Sequence, residues 1–448
     1  MRHTFFSLAL AFFTAFSLFA QTSSETPEQK AERMDWFAKA KLGIFIHWGI
    51  YAVDGVSESW SFHNGYVPHE RYMAQAKGFT AKHYRPKEWV DLIEESGARY
   101  TVITTKHHDG LALWDTKQNQ LSTRHATPAA RDLLTPFVQE VKKRKNLRLG
   151  LYYSLIDWSH EDYPGFLRDQ ARYEIKNDSA RWQRFCRFNM GQMEELSKAY
   201  RPDLWWFDGD WEHSAQEWRS PEIIRLLRKY NPQCIVNSRI QGYGDYATPE
   251  QGVPVVRPQD KYWELCMTIN DSWGYQHTDR NYKSVQQLLR TYVDCLSNGG
   301  NFLLDIAPKA DGTLPEEQVE VLKAFGRWNK KHAAAVYNTR AGIPSEHFHG
   351  YTSLNAKGDI LYLYLPYRPT GPIEVKGLIN RVHRAWVVGH GARLNHKVYN
   401  KAYWSQLPGN LYIDVPEHVL DPNITVIALL LDGPCQIYRG EGKVITSN

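Results

Sequence analysis

The 448-residue chain predicts an α/β fold, a (β/α)8-like barrel of the TIM type followed by a C-terminal all-β sandwich. Short apolar runs alternate with amphipathic helical stretches about seven or eight times, the rhythm of parallel βα units. Those runs close on ionisable and aromatic residues, and barrel enzymes build their sites at the strand ends that point that way. Beyond about residue 337 the helical signals stop, and short β-like runs broken by Gly, Pro and Asn take over.

The N-terminus, MRHTFFSLALAFFTAFSLFAQTSS, has a basic Arg2 followed by an apolar run too short for a membrane span. It reads as a secretory signal over residues 1–20, cut near Ala20, so the expected mature protein is exported and has no membrane span. That places it in the periplasm or medium of a bacterium, or on the lysosomal or secretory route of another cell. The polar stretch SETPEQKAERMDWFAKAK is helix-prone and leads into the barrel, expected over 21–337.

The strand candidates follow in order: GIFIHWG (43–49), YTVITTKHHDG (100–110), LRLGLYYSLIDW (147–158), DLWWFDGDW (203–211), CIVNSRI (234–240), KYWELCMTIN (261–270) and NFLLDIAP (301–308). Between them lie helix candidates such as PKEWVDLIEESG, DLLTPFVQEVKKR, SPEIIRLLRKY and KSVQQLLRTYVDCLSNG. The tail, 338–448, supplies DILYLYLPY, RAWVVGH, NLYIDVP and ITVIALLLDGP, the short strands expected of a sandwich that packs against the barrel.

Net charge is +5, with 54 basic and 49 acidic residues interspersed, so no footprint for nucleic acid stands out. Sixteen Trp, 26 Tyr and 18 Phe supply flat rings suited to a core or to the C–H faces of sugars. Five cysteines, Cys186, Cys234, Cys266, Cys295 and Cys435, show no metal spacing and no disulfide framework, and most read as buried thiols.

Strand alternation in LWWFDGDW puts Leu204, Trp206 and Asp208 on one face and Trp205 with Phe207 on the other. Asp208 is thus an inner-rim carboxylate beside Trp206, unless it serves only as a helix cap; Asp210, past Gly209, has no predictable direction. Glycoside hydrolysis needs a second carboxyl group to protonate the leaving oxygen. Glu264, after Trp263, is the candidate, since apolar neighbours raise a carboxyl pKa; its bland alternative is an ion-paired surface glutamate. Arg239 is a fixed cation that suits an ionised carboxylate. His47, His107, His108 and Asp208 also admit a metal-dependent hydrolase, though no HExxH or first-strand HxH is present. Neutral histidines bond sugar hydroxyls equally well.

Taken together, GIFIHWGIY, TKHHDGLALWDT, GLYYSLIDW, DLWWFDGDW, VNSR, WELCMTINDSWGY and NGGNFLLDIAPKADG resemble the glycoside hydrolase family 29 α-L-fucosidases from about residue 30 to 335. The resemblance implies exo-hydrolysis of terminal α-L-fucose from glycans, with retention, through a covalent fucosyl-enzyme and without metal or cofactor. It implies Asp208 as nucleophile and Glu264 as acid/base, with His47, Trp60, His107, His108, Tyr153, Trp206 and Arg239 holding the sugar. Fucose carries a methyl at C5, for which Trp206 or Trp273 offers an apolar wall. The family often has S-E-W where this chain reads Ser57-Glu58-Ser59-Trp60, so Glu58 either returns to the site through a bulge or leaves it. An α-L-galactosidase of the same fold and a catalytically silent glycan-binding protein are the remaining alternatives.

Overall fold

The structure is a computed structural model that describes residues 25–404 and 407–439. The expected signal, residues 1–20, lies outside the described residues. Among the latter, seven parallel strands form one sheet: β1 (Leu42–Ile46), β2 (Tyr100–Lys106), β3 (Arg148–Ser154), β4 (Leu204–Asp208), β5 (Ile235–Val236), β6 (Glu264–Thr268) and β7 (Asn301–Ile306). Their order is β5-β4-β3-β2-β1-β7-β6, so β5 and β6 are the sheet's edges.

An extended segment over 245–251 spans the gap between those edges. It bridges in parallel from Asn237 to Tyr246 on one side, and from Ala247 to Trp263 and Glu250 to Cys266 on the other. Hydrogen bonds from Asp245 N to Val236 O at 2.7 Å and from Glu264 N to Ala247 O at 2.9 Å complete the ring. This eighth stave, DYATPEQ, has no apolar run, which is why the sequence pattern did not reveal it. Closure of the sheet removes both unpaired edges.

The helices between strands bury one face each. Helix α1 is Pro27–Ala40, α2 Pro86–Glu95, α3 Leu134–Lys142, α4 Ser179–Tyr200, α5 Ser220–Tyr230, α6 Val285–Ser297 and α7 Glu316–Val336. Ser284 caps α6 by accepting from Gln287 N at 3.1 Å, and Thr26 with Gln29 forms a capping box on α1. Helix α1 plugs the bottom of the barrel: Met34, Phe37 and Ala40 pack with the inward-facing Tyr100, Leu204, Ile235 and Tyr246. Its Arg33 guanidinium is buried, with Nη1 2.7 Å from Asp245 on the closing stave and 3.2 Å from Cys234 O.

After α7 the chain forms β8 (Thr339–Ala341), β9 (Tyr351–Asn355), β10 (Ile360–Leu365), β11 (Ile373–Val375), β12 (Val382–Val387), β13 (His396–Tyr399), β14 (Asn410–Ile413) and β15 (Thr425–Leu431). A five-stranded antiparallel sheet, β8-β9-β10-β15-β12, faces a three-stranded one, β11-β14-β13. Leu361, Leu363, Leu365, Ile427 and Leu429 point into the sandwich with Ile373, Val375, Leu411 and Ile413. The alternate residues Tyr362, Tyr364, Val426 and Ala428 join the barrel's core, and Trp328 Nε1 on α7 donates to Ile424 O at 3.1 Å. Four of the five cysteines are buried, and all five are free thiols.

Removing Arg33 takes from Asp245 its two-pronged partner, where both side chains are almost fully covered, and leaves it Arg228 at 3.4 Å and Lys30 at 3.8 Å. Arg33→Ala is expected to cost about 3 kcal/mol of stability, the scale of a broken buried ion pair, read by urea unfolding.

Candidate active site

A cavity of about 180 Å³ opens at the C-terminal ends of the barrel strands. That is well below the roughly 300–1,000 Å³ of pockets for drug-sized ligands, and suits a single sugar ring. A larger groove of about 630 Å³ lies among Arg290, His347, His349 and Tyr367, but no barrel strand end reaches it.

Asp208 is the last residue of β4, and Gly209 follows in a left-handed conformation (φ 85°), where a Cβ would lie 2.6 Å from Ile156. The strand therefore stops with the carboxylate at the cavity. Asp208 Oδ1 accepts from Arg239 Nη1 at 2.8 Å and Oδ2 accepts from Tyr152 OH at 2.9 Å. The Arg239 guanidinium lies 4.5 Å from the centroid of the Trp206 ring, and its Nη2 donates to Glu250 at 2.7 Å. One cation thus bridges two carboxylates of the cavity wall, Asp208 from β4 and Glu250 from the closing stave.

Two imidazoles, His47 and His107, line the cavity and a third, His108, is buried beside Asp208, each tied at Nδ1. His47 meets Asp305 at 2.7 Å, His107 meets Ser59 Oγ at 2.6 Å, and His108 meets Ser154 Oγ at 2.5 Å. Desolvation holds all three well below the usual histidine range, which favours the uncharged ring. The doublet His107-His108 escapes strand alternation for two reasons. The register of β2 shifts between Thr104 and Lys106, which turns Lys106 outward onto Tyr153 and α4, and both histidines lie beyond the strand. Among the described residues, no group of three or more His, Cys, Asp or Glu side chains is arranged to hold a metal ion.

Glu58 and Trp60 both line the cavity despite the residue inserted between them. Ser59 is that residue, and its hydroxyl holds His107. Glu58 accepts from Gly274 N, and burial pushes its carboxyl up to about 7. Phe45, Trp206 and Trp273 make an apolar corner, with Phe45 4.9 Å from Trp206 and 6.0 Å from Trp273, ring to ring. Trp211 stands half-exposed at the mouth, within 15° of parallel to Trp60.

The α-L-fucosidase family profile matches residues 14–334. A plasma α-L-fucosidase of Rattus norvegicus is 30% identical over 414 residues, covering 85% of this chain and 87% of the relative. The solved structure of α-L-fucosidase isoenzyme 1 from Paenibacillus thiaminolyticus superposes with a TM-score of 0.81 at 31% identity, over 90% of this chain and 99% of that one. A family 29 α-L-fucosidase from Bacteroides thetaiotaomicron, captured as a covalent intermediate with 2-fluoro-fucosyl fluoride in a glutamate-to-glutamine variant, gives 0.77 at 26% identity over 90% and 96%. The chain belongs to the α-L-fucosidase family of glycoside hydrolases. Among the described residues, no helix of this family member is long and apolar enough to cross a membrane.

Against the expectations, the structure gathers Asp208, His47, Glu58, Trp60, His107, Trp206, Arg239 and Trp273 around one cavity, with His108 directly beside Asp208. It does not bring Tyr153 or Glu264 there. Tyr153 points outward from β3, its hydroxyl lying 2.6 Å from Asn189 Oδ1 and 2.8 Å from the Gln192 amide on α4. Its neighbour Tyr152 pairs level with Trp206 and shares the inner face, so the alternation that placed Trp206 also selects Tyr152. Glu264 is the first residue of β6, not near its end, and is wholly buried towards the α1 plug. Its oxygens accept from Trp206 Nε1 at 2.9 Å and from Tyr100 OH. Glu250 was missed because it lies in the unpatterned stave, and Phe45 and Trp211 because aromatic content alone does not separate a wall from a core. Asp210 is structural: it accepts from Gln241 N at 2.8 Å, tying the loop after β4 to the loop that carries Arg239.

Burial pushes Glu264 up to about 7, against the hydrogen bonds of Tyr100 and Trp206 and the charge of Arg239; its ordinary value is 4.5. Between those two values the unfolded chain sheds a proton that the folded protein keeps, so this group's stabilising contribution is full below pH 4.5 and is lost as pH rises through 7. Glu264→Gln removes that titration. From acid to mildly alkaline pH the wild type should lose about 3 kcal/mol more than the variant, measured by urea unfolding across pH.

Proposed function

We propose that this chain is an exo-acting, retaining α-L-fucosidase in which Asp208 is the nucleophile and Glu250, not Glu264, is the acid/base. The observation that carries this is the Arg239 bridge, which sets the two carboxylates on one cavity, one guanidinium apart. Retaining glycosidases hold their carboxyls about 5–5.5 Å apart, a spacing that such a bridge accommodates. The covalent intermediate captured in the Bacteroides relative supports retention.

The leaving group decides which glutamate gives the proton. A fucose seated in so small a cavity directs its aglycone towards solvent, so the donor must sit at the rim. The Glu250 side chain is 40% exposed, whereas Glu58 is sealed and Glu264 lies behind Trp206. Asp208 attacks the anomeric carbon as its bond to the leaving oxygen breaks, and the Glu250 proton passes to that oxygen. Water then attacks the same carbon, its proton returns to Glu250, and the Asp208 ester bond breaks to release fucose with its original configuration.

The corner of Phe45, Trp206 and Trp273 receives the C5 methyl. L-Galactose would bury a hydroxyl against those rings, and preference for the fucoside by roughly a hundredfold in kcat/KM is expected, the usual reach of an apolar pocket against an added hydroxyl. Terminal fucose on a glycan or glycoconjugate is the substrate class, and export is the matching location for such an enzyme.

Azide separates the two carboxylates. In Asp208→Gly, activity on an aryl α-L-fucoside should collapse and azide should restore turnover with an inverted fucosyl azide. In Glu250→Ala, substrates with poor leaving groups should slow by about 10²–10⁴-fold while a dinitrophenyl fucoside suffers less, and azide should yield the retained fucosyl azide. Glu264→Gln keeping activity is the expected control; loss of the acid step there, with Glu250→Ala active, would sink the assignment.

A further inference from the structure

We infer that Ser154 is a positioning residue that locks His108 as the Nδ1–H tautomer, so that His108 Nε2 accepts a hydrogen bond from the sugar hydroxyl beside the reacting carbon and cannot donate one. The direction follows from counting protons. Ser154 Oγ lies 2.7 Å from Ile156 O, a carbonyl that can only accept, so the single hydroxyl proton is spent there. Towards His108 Nδ1, 2.5 Å away, Ser154 Oγ can then only accept, and the imidazole must carry its proton on Nδ1.

The ring holds no second proton. It is fully buried, with Trp60 and Trp158 edge-on at 5.6 and 4.8 Å, and desolvation together with the neighbouring His63, Lys106, Arg239 and His47 opposes protonation. Among the described residues Nε2 is buried without a hydrogen-bond partner. It faces Asp208 Oδ2 at 3.6 Å, and that oxygen already accepts from Tyr152. Two acceptors therefore converge with no protein donor between them.

An O–H group satisfies this arrangement, and which O–H follows from the proposed role of Asp208, on which the assignment of the hydroxyl rests. If one oxygen of Asp208 reaches the anomeric carbon, the substituent beside the other is the hydroxyl on the adjacent ring carbon, C2. The site thus reads that hydroxyl as a donor. The opposite tautomer would let His108 donate to Asp208 instead, occupying the nucleophile and leaving the sugar hydroxyl without its acceptor. Hydrogen bonds to the C2 hydroxyl strengthen in glycosidase transition states, so the lock acts where it counts for rate.

The test has two readouts. In protein carrying ¹⁵N-histidine, the His108 signals, identified by their loss in His108→Gln, should show the Nδ1–H pattern in the wild type and the Nε2–H pattern in Ser154→Ala. An Nε2–H wild type, or a Ser154→Ala variant that keeps the Nδ1–H form, overturns the proposal. In the wild type, an iminosugar of fucose configuration should lose about tenfold or more in affinity when fluorine replaces the hydroxyl corresponding to C2, because fluorine keeps size but cannot donate. Equal binding of the two overturns the proposal without needing any variant. Ser154→Ala should narrow that ratio and lower kcat on an aryl fucoside more than it raises KM. A wild type that neither binds the iminosugar nor cleaves the fucoside overturns the fucosidase reading alone, since the tautomer is still read from the nitrogen signals.

Discussion

The site depends on one half-buried cation. Arg239 reaches Asp208 with one nitrogen and Glu250 with the other, and rests its face near the Trp206 ring. A guanidinium is suited to this because its planar fork directs donors along fixed lines and stays charged when desolvated. The two carboxylates come from different staves, so the same contact that orders them also holds the closing stave to the strand that ends in Asp208. Asp210 reinforces it by gripping Gln241, two residues after Arg239. Lysine in that place could neutralise charge but could not span both groups.

The barrel separates two environments along its axis. At the bottom, α1 seals a layer of Tyr100, Tyr246 and Glu264, where hydrogen bonds among side chains stand in for water. At the top, the staves end in a cavity whose histidines turn their Nδ1 atoms to fixed partners within the protein. Trp206 joins the two layers, with its indole N–H bonded to Glu264 and its ring face near Arg239. A carboxyl in the lower layer supports the position of Trp206, whereas one in the upper layer can meet substrate. Burial and a raised pKa do not distinguish those roles, since Glu264 and Glu58 share both properties and only Glu58 lines the cavity.

The C-terminal sandwich is continuous with this architecture through alternation. In β10 the leucines fill the sandwich while the tyrosines between them pack on the barrel's outer helices. Its five-stranded sheet is therefore buried on both faces and braces α6 and α7, the helices that flank β7 and so support Asp305 behind His47.

Periodicity, strand-end chemistry and family text were enough to determine the barrel, the seven patterned strands, the β-rich tail and the inward face carrying Trp206 and Asp208. Those properties are local: a period of two places side chains, and an apolar run marks a buried strand. Alternation would also have selected Tyr152 over Tyr153, had the register of β3 beside β4 been in hand. The remaining assignments needed the closed structure. The stave of Glu250 carries Pro and polar residues and is held by its neighbours on both sides instead of by its own apolar pattern, so nothing in its sequence announces a strand. Glu264 lies within an apolar run whose hydrogen-bonded part begins where the sequence suggested it was ending, and a shift of that size moves a side chain from the mouth of a barrel to its floor. Residue types determined which chemistry was available; tertiary closure decided which carboxylates share one cation.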